Sequence, residues 1–492
     1  MYNLLKNNAT LYGDDIGFIC DDVSLTYNEE WNDVQQLGAK LQKFGVQSGS
    51  KVALITENPM TFIHFFMSIS KCEAVGIPIY LKTGFDKIIS LLKFYRVNYI
   101  LTDTPIDGIC EAGQYVETVI SGEKQSYLYV NESYELDLSI TDISLMLFSS
   151  GTTNLPKVIM LSRANILSNI EAIKKYLEID RKDRVLIVKN MNHVSSIVGE
   201  YLVALSSGSR IYFTTKLIRT KTIFDLVDSQ KISILFAIPF ILDNLLKYKF
   251  IDKYTLNSLR IVNFYGGKME HEKIMGLCKT IPTVNFIYSY GLTEASPRVT
   301  YITKDELLER DGSCGRTVDG VKVIIRDEEG NPVVNGTQGE ITVVGPNVMQ
   351  GYYMNPELTQ KTVRNRVLYT RDLGYLDEDG YLYVTGRKDN MFIIAGKNVH
   401  PKEIEAVFNS DNNVASCLVR KLSDDSEEIY AYVVLHMQND DCIERLFSLC
   451  QKHLEFYKVP NEIFIVKDLE KTVSGKIKRK QIIKNEDILK HS

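Results

Sequence analysis

Short apolar runs alternate with amphipathic helical stretches along much of this chain, and few folds accommodate that rhythm. Val52–Thr56, Ala74–Tyr80 and Tyr99–Thr102 read as strands, with helices predicted over Pro59–Cys72 and Lys87–Phe94 between them. A further helix precedes them: Thr26 and Glu29 can form a capping box, Val34, Leu37, Leu41 and Phe44 share one face, and Gly45 is placed to end it. Downstream, Val185–Val188, Ile211–Phe213, Ile232–Ile238, Leu259–Phe264 and Val284–Tyr288 read as strands with helices among them. Strands joined through helices run parallel by right-handed crossovers, and helices then cover both faces of the sheet. The expected class is α/β, with parallel-sheet subdomains forming the larger part of the chain.

Ligands of such sheets bind beyond the carboxyl ends of the strands, so the turns there are where chemistry is sought. The apolar run Leu145–Phe148 breaks into Ser149-Ser150-Gly151-Thr152-Thr153, then Asn154-Leu155-Pro156-Lys157, and a second apolar run begins at Val158. Hydroxyls, backbone N–H groups and one ammonium can converge here, which suits a polyphosphate. The stretch is not the P-loop of NTPases, because it lacks the second glycine and the Lys-Ser/Thr pair. Ser162 is placed to cap a helix whose Ile166, Ile170, Ile173 and Leu177 form one face. Two later strands run into Tyr265-Gly266-Gly267-Lys268 and Ser289-Tyr290-Gly291-Leu292-Thr293-Glu294.

Past Gly315 the texture changes to short strands with turn signals, Val321–Ile325, Glu340–Val344 and Gly380–Thr385, which reads as a β-rich subdomain. A domain boundary is expected at Gly386-Arg387-Lys388-Asp389, dividing a large domain, 1–388, from a small one, 389–492. The small domain has an α+β pattern: helices at Pro401–Phe408 and Glu444–Leu454, strands at Val414–Val419, Ile429–Leu435 and Glu462–Val466. With 45% hydrophobic and 24% charged residues, 492 residues supply ample material for a large core. A net charge of −5 leaves no basic footprint, so no nucleic-acid partner is expected. The eight cysteines form no CxxC pair and no zinc-spaced cluster; without a signal peptide they read as the reduced thiols of a cytoplasmic protein. No apolar run reaches membrane-spanning length, so no transmembrane segment is expected.

SSGTTNLPKV, at residues 149–158, resembles the phosphate-binding loop of the acyl-adenylate-forming superfamily, usually (T/S)SGTTGxPKG. That superfamily includes acyl- and aryl-CoA synthetases, peptide-synthetase adenylation domains and luciferase. The resemblance implies that Ser149, Ser150, Gly151, Thr152, Thr153 and Lys157 hold ATP phosphates. Two glycines are replaced: Asn154 tolerates left-handed backbone, whereas β-branched Val158 is expected to strain a glycine conformation. Four later segments match in order. SYGLTEASP, from Ser289, is similar to the adenine and metal motif, implying that Tyr290 and Gly291 meet the base, Thr293 the α-phosphate and Glu294 a Mg²⁺ ion. LYTRDLGYLDEDGYLYVTGRKDN, from Leu368, is similar to the ribose and hinge segment, implying that Asp372 accepts the ribose hydroxyls, Arg387 contacts ribose and phosphate, and Asp389 is the interdomain hinge; Arg371 replaces the usual glycine. IIAGKNVHPKEIE implies that Gly396 lines a pantetheine tunnel, and KTVSGKIKRK that Lys476 bridges the substrate carboxylate and α-phosphate. Gly266, Gly267 and Lys268 would border adenine and the acyl pocket, and His193 its carboxylate end. Arg163 replaces a common histidine after the phosphate loop.

The resemblance implies an acid–thiol ligase with a mobile C-terminal lid. ATP and Mg²⁺ activate a carboxylic acid, fatty or aryl, to an acyl-adenylate, and a thiol of CoA or of carrier-protein phosphopantetheine then takes the acyl group. Three other readings stay open. A stand-alone amino-acid adenylation domain is opposed by the absence of an aspartate from Val185 to Glu200. A catalytically weak nucleotide- or acyl-binding homologue is motivated by Val158 and Arg371 and opposed by Lys476 and Glu294. A luciferase-like oxygenase is the third.

Overall fold

The computed structural model describes the chain except residues 82–83, 114, 120–125, 150–156, 217–218, 248–253, 389–391, 395–396, 422–427, 438–440, 472–476, 480, 482, 484–486 and 492. The chain divides into two compact units. The first comprises Met1–Ile324 with Thr342–Tyr369, the second Ile325–Ile341 with Thr370–Ser492. Residues 325–341 and 370–388, on the large-domain side of the boundary expected from sequence, thus group with the second unit.

Two sheets organise the first unit. In one, Lys51–Ile55 lies between Val75–Pro78 and Tyr99–Thr102, parallel to both, and Val75–Pro78 pairs in parallel with Ile143–Ser149. That last strand turns back antiparallel onto Lys157–Ser162, with Ser149 opposite Lys157. The sequence therefore reaches its hydroxyl-rich loop through a hairpin at one side of a parallel sheet. In the other sheet Asn285–Tyr290, Ile261–Tyr265, Ile234–Ala237, Arg184–Leu186, Arg210–Phe213 and Ile16–Cys20 run parallel in that order. Antiparallel strands flank them: Val23–Thr26 at one end, Thr300–Ile302 and Ser313–Thr317 at the other. These flanking strands, and the opening helix Tyr2–Tyr12, were not in the sequence reading, which started at Thr26.

Local signals account for the expected helices. The Thr26–Glu29 capping box starts Tyr27–Lys43, and Gly45, at φ +86°, follows its end. Asn58 accepts from the N–H groups of Met60 and Thr61 to start Pro59–Lys71, and Ser162 with Asn165 forms a second capping box for Arg163–Leu177. One helical stretch was missed: Val194–Ser196 continues through a π-helical turn, Ile197–Leu202, into Val203–Ser207. Nearly all its residues are buried, so it lacks the polar stripe by which an amphipathic helix is recognised.

Val158 overturns an expectation. It lies in the strand Lys157–Ser162 opposite Phe148, 2% exposed, in a core with Ile143, Met146 and Tyr353. Its backbone is not left-handed. The position is a core strand position that suits a β-branched residue, not a strained turn.

The second unit contains the antiparallel pair of Val367–Leu376 (from Thr370 onward) and Leu382–Arg387, and a four-stranded sheet ordered Val414–Lys421, Ile429–Leu435, Glu462–Val466, Ile488–His491. The helices Pro401–Asn409 and Cys442–His453 supply Ile404, Phe408, Leu446 and Cys450 to its core. This is the α+β architecture read from the sequence.

Candidate active site

Two adjacent parallel strands of the first unit end together, with Tyr265 opposite Ser289. Gly266 follows the first at φ +86°, where an added Cβ would meet nothing within 4 Å; its freedom serves the backbone turn and leaves the space beside it open. Tyr290, Gly291 and the short 3₁₀ turn Thr293–Ala295 follow the second. Gly291 has the opposite constraint: a Cβ there would sit 1.8 Å from the carbonyl oxygen of Pro297. The returning chain is held by the Val299 N–H to Tyr290 carbonyl bond, 2.9 Å, and by Asn347, whose amide donates to the Ala295 and Arg298 carbonyls at 2.9 and 3.2 Å.

Tyr352 joins this turn to the end of the hydroxyl-rich loop. Its hydroxyl donates to Glu294 Oε1 at 2.9 Å, and the Lys157 ammonium stands 5.7 Å from its ring centroid. The Met349 N–H to Glu294 carbonyl bond, 2.9 Å, fixes the glutamate's backbone. Glu294 is half-buried, and its second carboxylate oxygen has no hydrogen-bond partner among the described residues. A carboxylate oriented by a tyrosine, with an oxygen left over and an ammonium nearby, fits a hard divalent cation beside a polyphosphate. Lys268 reaches toward Gly312, whose added Cβ would lie 2.9 Å from its Nζ.

A second constellation lies behind Tyr265. The Tyr265 hydroxyl donates to Glu200 Oε1 on the π-helical turn. Lys189 Nζ lies 3.8 Å, and the Arg298 guanidinium carbon 3.7 Å, from the ring centroid of Tyr265. Both cations lie within cation–π range of the ring. Glu200 is fully buried and Arg298 is 3% exposed. Burial pushes the Glu200 carboxyl above the usual carboxylate range, against the pull of Lys189 and Arg298; burial likewise lowers Lys189, opposed by Glu200. His193 precedes the same helix. Burial, reinforced by Lys189, pushes its pKa down to about 4. It is a neutral imidazole at physiological pH.

In the second unit Asp372 and Arg387 stand opposite each other across the ladder, with Nη1 to Oδ1 at 3.4 Å. The Thr370 hydroxyl accepts from the Asp372 N–H at 3.0 Å, and the Thr370 carbonyl accepts from Arg387 at 3.5 Å. Arg371 is at φ +62°, the left-handed region that favours glycine. Ser150, Gly151, Thr152, Thr153, Asp389, Gly396 and Lys476 lie outside the described residues, and Ser149 is described in its backbone alone.

The profile of the AMP-binding enzymes matches residues 5–353, and that of the AMP-binding enzyme C-terminal domain matches residues 403–476. This chain belongs to the AMP-binding enzyme family. A 2-succinylbenzoate–CoA ligase of Bacillus licheniformis is 27% identical over 98% of this chain and 99% of its own length. A 4-coumarate-CoA ligase of Narcissus pseudonarcissus is 26% identical over 93% of this chain and 88% of its own. The o-succinylbenzoate coenzyme A synthetase of Bacillus subtilis, solved in complex with ATP and magnesium ion, has the same fold: TM-score 0.83 at 22% identity, covering 97% of this chain and 98% of that one. These relatives are named as acid–thiol ligases.

Within this AMP-binding enzyme, sequence reading singled out Lys157, His193, Gly266, Gly267, Tyr290, Gly291, Thr293 and Glu294, and the first unit places the last six at the ends of two neighbouring strands. It missed Tyr352, Lys189, Glu200 and Arg298. No spacing signals these four, since each acts on a partner more than ten positions away. Arg298 had one clue: it follows SYGLTEASP directly.

Proposed function

We propose that this chain is an ATP-dependent ligase that joins an aryl acid to the thiol of CoA. The acid's carboxylate attacks the α-phosphorus of ATP, pyrophosphate leaves, and the thiol displaces AMP from the acyl-adenylate. The observation that carries this reading is the array in which Tyr352 orients Glu294 through its hydroxyl and meets the Lys157 ammonium over its ring. In it Glu294 holds Mg²⁺, which when bound offsets triphosphate charge; Lys157 and the hydroxyls of Ser149, Ser150, Thr152 and Thr153 bind the phosphates; and Thr293 holds the α-phosphate. Tyr290 stacks on adenine, while Asp372 and Arg387 take the ribose. Lys476 stabilises charge at the reacting phosphorus, Gly396 lines the thiol's path, and neutral His193 meets the carboxylate. The small domain, 389–492, turns about Asp389 between the half-reactions.

An aryl acid is preferred over a fatty acid because the relatives' names are those of aryl-acid ligases. CoA is preferred over a carrier-protein thiol on the same ground. The excess of positive charge around Tyr265 opposes an amino acid's ammonium. The protein acts in the cytoplasm: its eight cysteines are free, which supports a reducing compartment, and no described helix is long and apolar enough to cross a membrane.

The test is pyrophosphate release and thioester formation with aryl, fatty and amino acids, with and without CoA. Aryl acids are expected to give AMP and an aryl-CoA, and Glu294→Gln to slow the first step by about a hundredfold or more while the fold persists. Failure of every acid to give AMP would leave the chain as a ligand-binding homologue. Near-normal AMP formation by the folded variant would remove Glu294 from the metal site.

A further inference from the structure

The helices Tyr27–Lys43 and Pro59–Lys71 of the first unit pack together and bury a carboxylate that no protein group satisfies. Glu30, on the first helix, is 0% exposed, and neither of its carboxylate oxygens has a hydrogen-bond partner among the described residues. His64, on the second, is 8% exposed; its Nδ1 is also buried without a hydrogen-bond partner, 3.5 Å from Glu30 Oε1. Asp33 follows Glu30 at i,i+3 and so shares its face of the helix. One ligating atom from each of these three residues lies within 4.8 Å of the others. Tyr201, fully buried with an unpartnered hydroxyl, is near enough to feel the carboxylate: burial, then the charge of Glu30, pushes its phenol well above the ordinary value. Protein interiors seldom leave a carboxylate, an imidazole nitrogen and a phenol unpaired together, so the group points to an occupant that completes it.

The spacing and the donor set narrow what that is. A charge-assisted hydrogen bond would bring Nδ1 and Oε1 to about 2.8 Å of each other. At 3.5 Å they stand instead at the separation of two ligands on one ion. Bonds of about 2.1 Å at tetrahedral angles set ligand atoms about 3.4 Å apart. The other two separations both involve Asp33, whose half-buried side chain can close them by rotation and offers a way in from solvent. One imidazole nitrogen with two carboxylate oxygens suits Zn²⁺ and its transition-metal neighbours, whereas Mg²⁺ and Ca²⁺ prefer oxygen alone. A divalent cation offsets both carboxylates and takes the Nδ1 lone pair of a neutral imidazole whose proton sits on Nε2.

We infer that Glu30, Asp33 and His64 form a site for a divalent transition-metal ion of the Zn²⁺ type. A metal held there pins the helix Tyr27–Lys43 to the helix Pro59–Lys71 and neutralises the buried carboxylate. The site shares no residue with the array of Tyr352, Glu294 and Lys157, and it does not depend on the ligase reading.

The test uses the untagged full chain, stripped with a chelator and dialysed. Zn²⁺ followed by calorimetry should bind one to one, and saturating Zn²⁺ should raise the midpoint of thermal unfolding. Co²⁺ in its place should give the strong visible d–d absorption of a low-coordinate site, and millimolar Mg²⁺ should not compete. His64→Gln and Asp33→Asn should each weaken Zn²⁺ binding by about a hundredfold or more and remove the thermal shift, whereas Glu294→Gln should keep both. Asp33→Asn preserves the shape of a half-buried side chain, so it reports on ligation even where the His64 variant folds poorly. Glu30→Gln should lose Zn²⁺ binding while the metal-free protein stays as stable or gains, because a buried charge has gone. No Zn²⁺ uptake by the stripped chain, or undiminished affinity in folded Asp33→Asn and His64→Gln, would overturn the inference. Binding lost in Glu294→Gln but kept in Asp33→Asn would put the ion at the active site and overturn it as well. A chain that takes up no Zn²⁺ yet loses stability in His64→Gln would hold a plain Glu30–His64 ion pair instead.

Discussion

Arg371 occupies a left-handed backbone position, φ +62°, that in relatives of this motif is usually glycine. An L-residue there costs roughly 1–2 kcal/mol, and a glycine returns part of that as unfolded-state entropy. Arg371→Gly should therefore stabilise the second unit by about 0.5–1 kcal/mol, read as a raised urea midpoint with unchanged slope. The N–H of residue 371 donates to Glu340 Oε1 at 3.1 Å, a bond that survives the substitution. Unaltered or lowered stability would mean that the arginine side chain repays the strain. Tyr352 gives a second prediction at this scale. Tyr352→Phe keeps the ring under Lys157 but removes the hydroxyl that orients Glu294. The Mg²⁺ concentration for half-maximal pyrophosphate release should rise about tenfold or more. No change in metal demand would show that Glu294 is positioned without it.

Asp183 shows how one side chain ties several elements together. Arg260 donates to both its oxygens, Nε to Oδ1 at 2.8 Å and Nη2 to Oδ2 at 2.6 Å, and Ser233 Oγ donates to Oδ1 at 2.7 Å. The Asp180 N–H adds a bond of 2.9 Å to Oδ2, and Arg260 also donates to the Glu178 carbonyl at 3.0 Å. The end of the helix Arg163–Leu177 and the starts of three parallel strands meet here. Burial works to raise the Asp183 pKa, but the bonds from Arg260, Asp180 and Ser233 together hold it below the usual value. A folded-state pKa below the unfolded one contributes stability above the ordinary carboxylate range, lost as pH falls through the folded value. Asp183→Asn should cost about 3 kcal/mol at pH 7, and the gap to the unsubstituted protein should narrow below about pH 4. A gap independent of pH would mean that the loss is one of packing.

At the scale of the whole molecule, the proposed function has the small domain, 389–492, turn about Asp389 to serve first one half-reaction and then the other. Lys476→Ala should impair adenylation by several kcal/mol of lost charge stabilisation, about a hundredfold or more in rate, while thioester formation from a supplied acyl-adenylate survives. Gly396→Leu should do the reverse, sparing first-turnover pyrophosphate release. Single-turnover kinetics of each half-reaction decides the matter. If both substitutions slow the same half-reaction, alternation about Asp389 is not how this protein works.

The order of strands and helices was readable because the signals are local. Thr26 and Glu29 lie three residues apart, as do Ser162 and Asn165, and the period of a helical face is complete within two turns. The turn residues Gly266, Gly291, Thr293 and Glu294 were readable for the same reason, being ordered along one stretch of chain. What strained the backbone was not. Val158 and Arg371 both replace glycines of the motif, yet Val158 is an ordinary buried strand residue and Arg371 alone is left-handed. A dihedral depends on how the neighbouring strand pairs, which the residue's identity does not encode. Tyr352 against Glu294, and Arg298 and Lys189 about Tyr265, were likewise decided only in three dimensions. Long-range packing brings those side chains together, and the energy of a buried charge depends on every group around it, however distant in sequence.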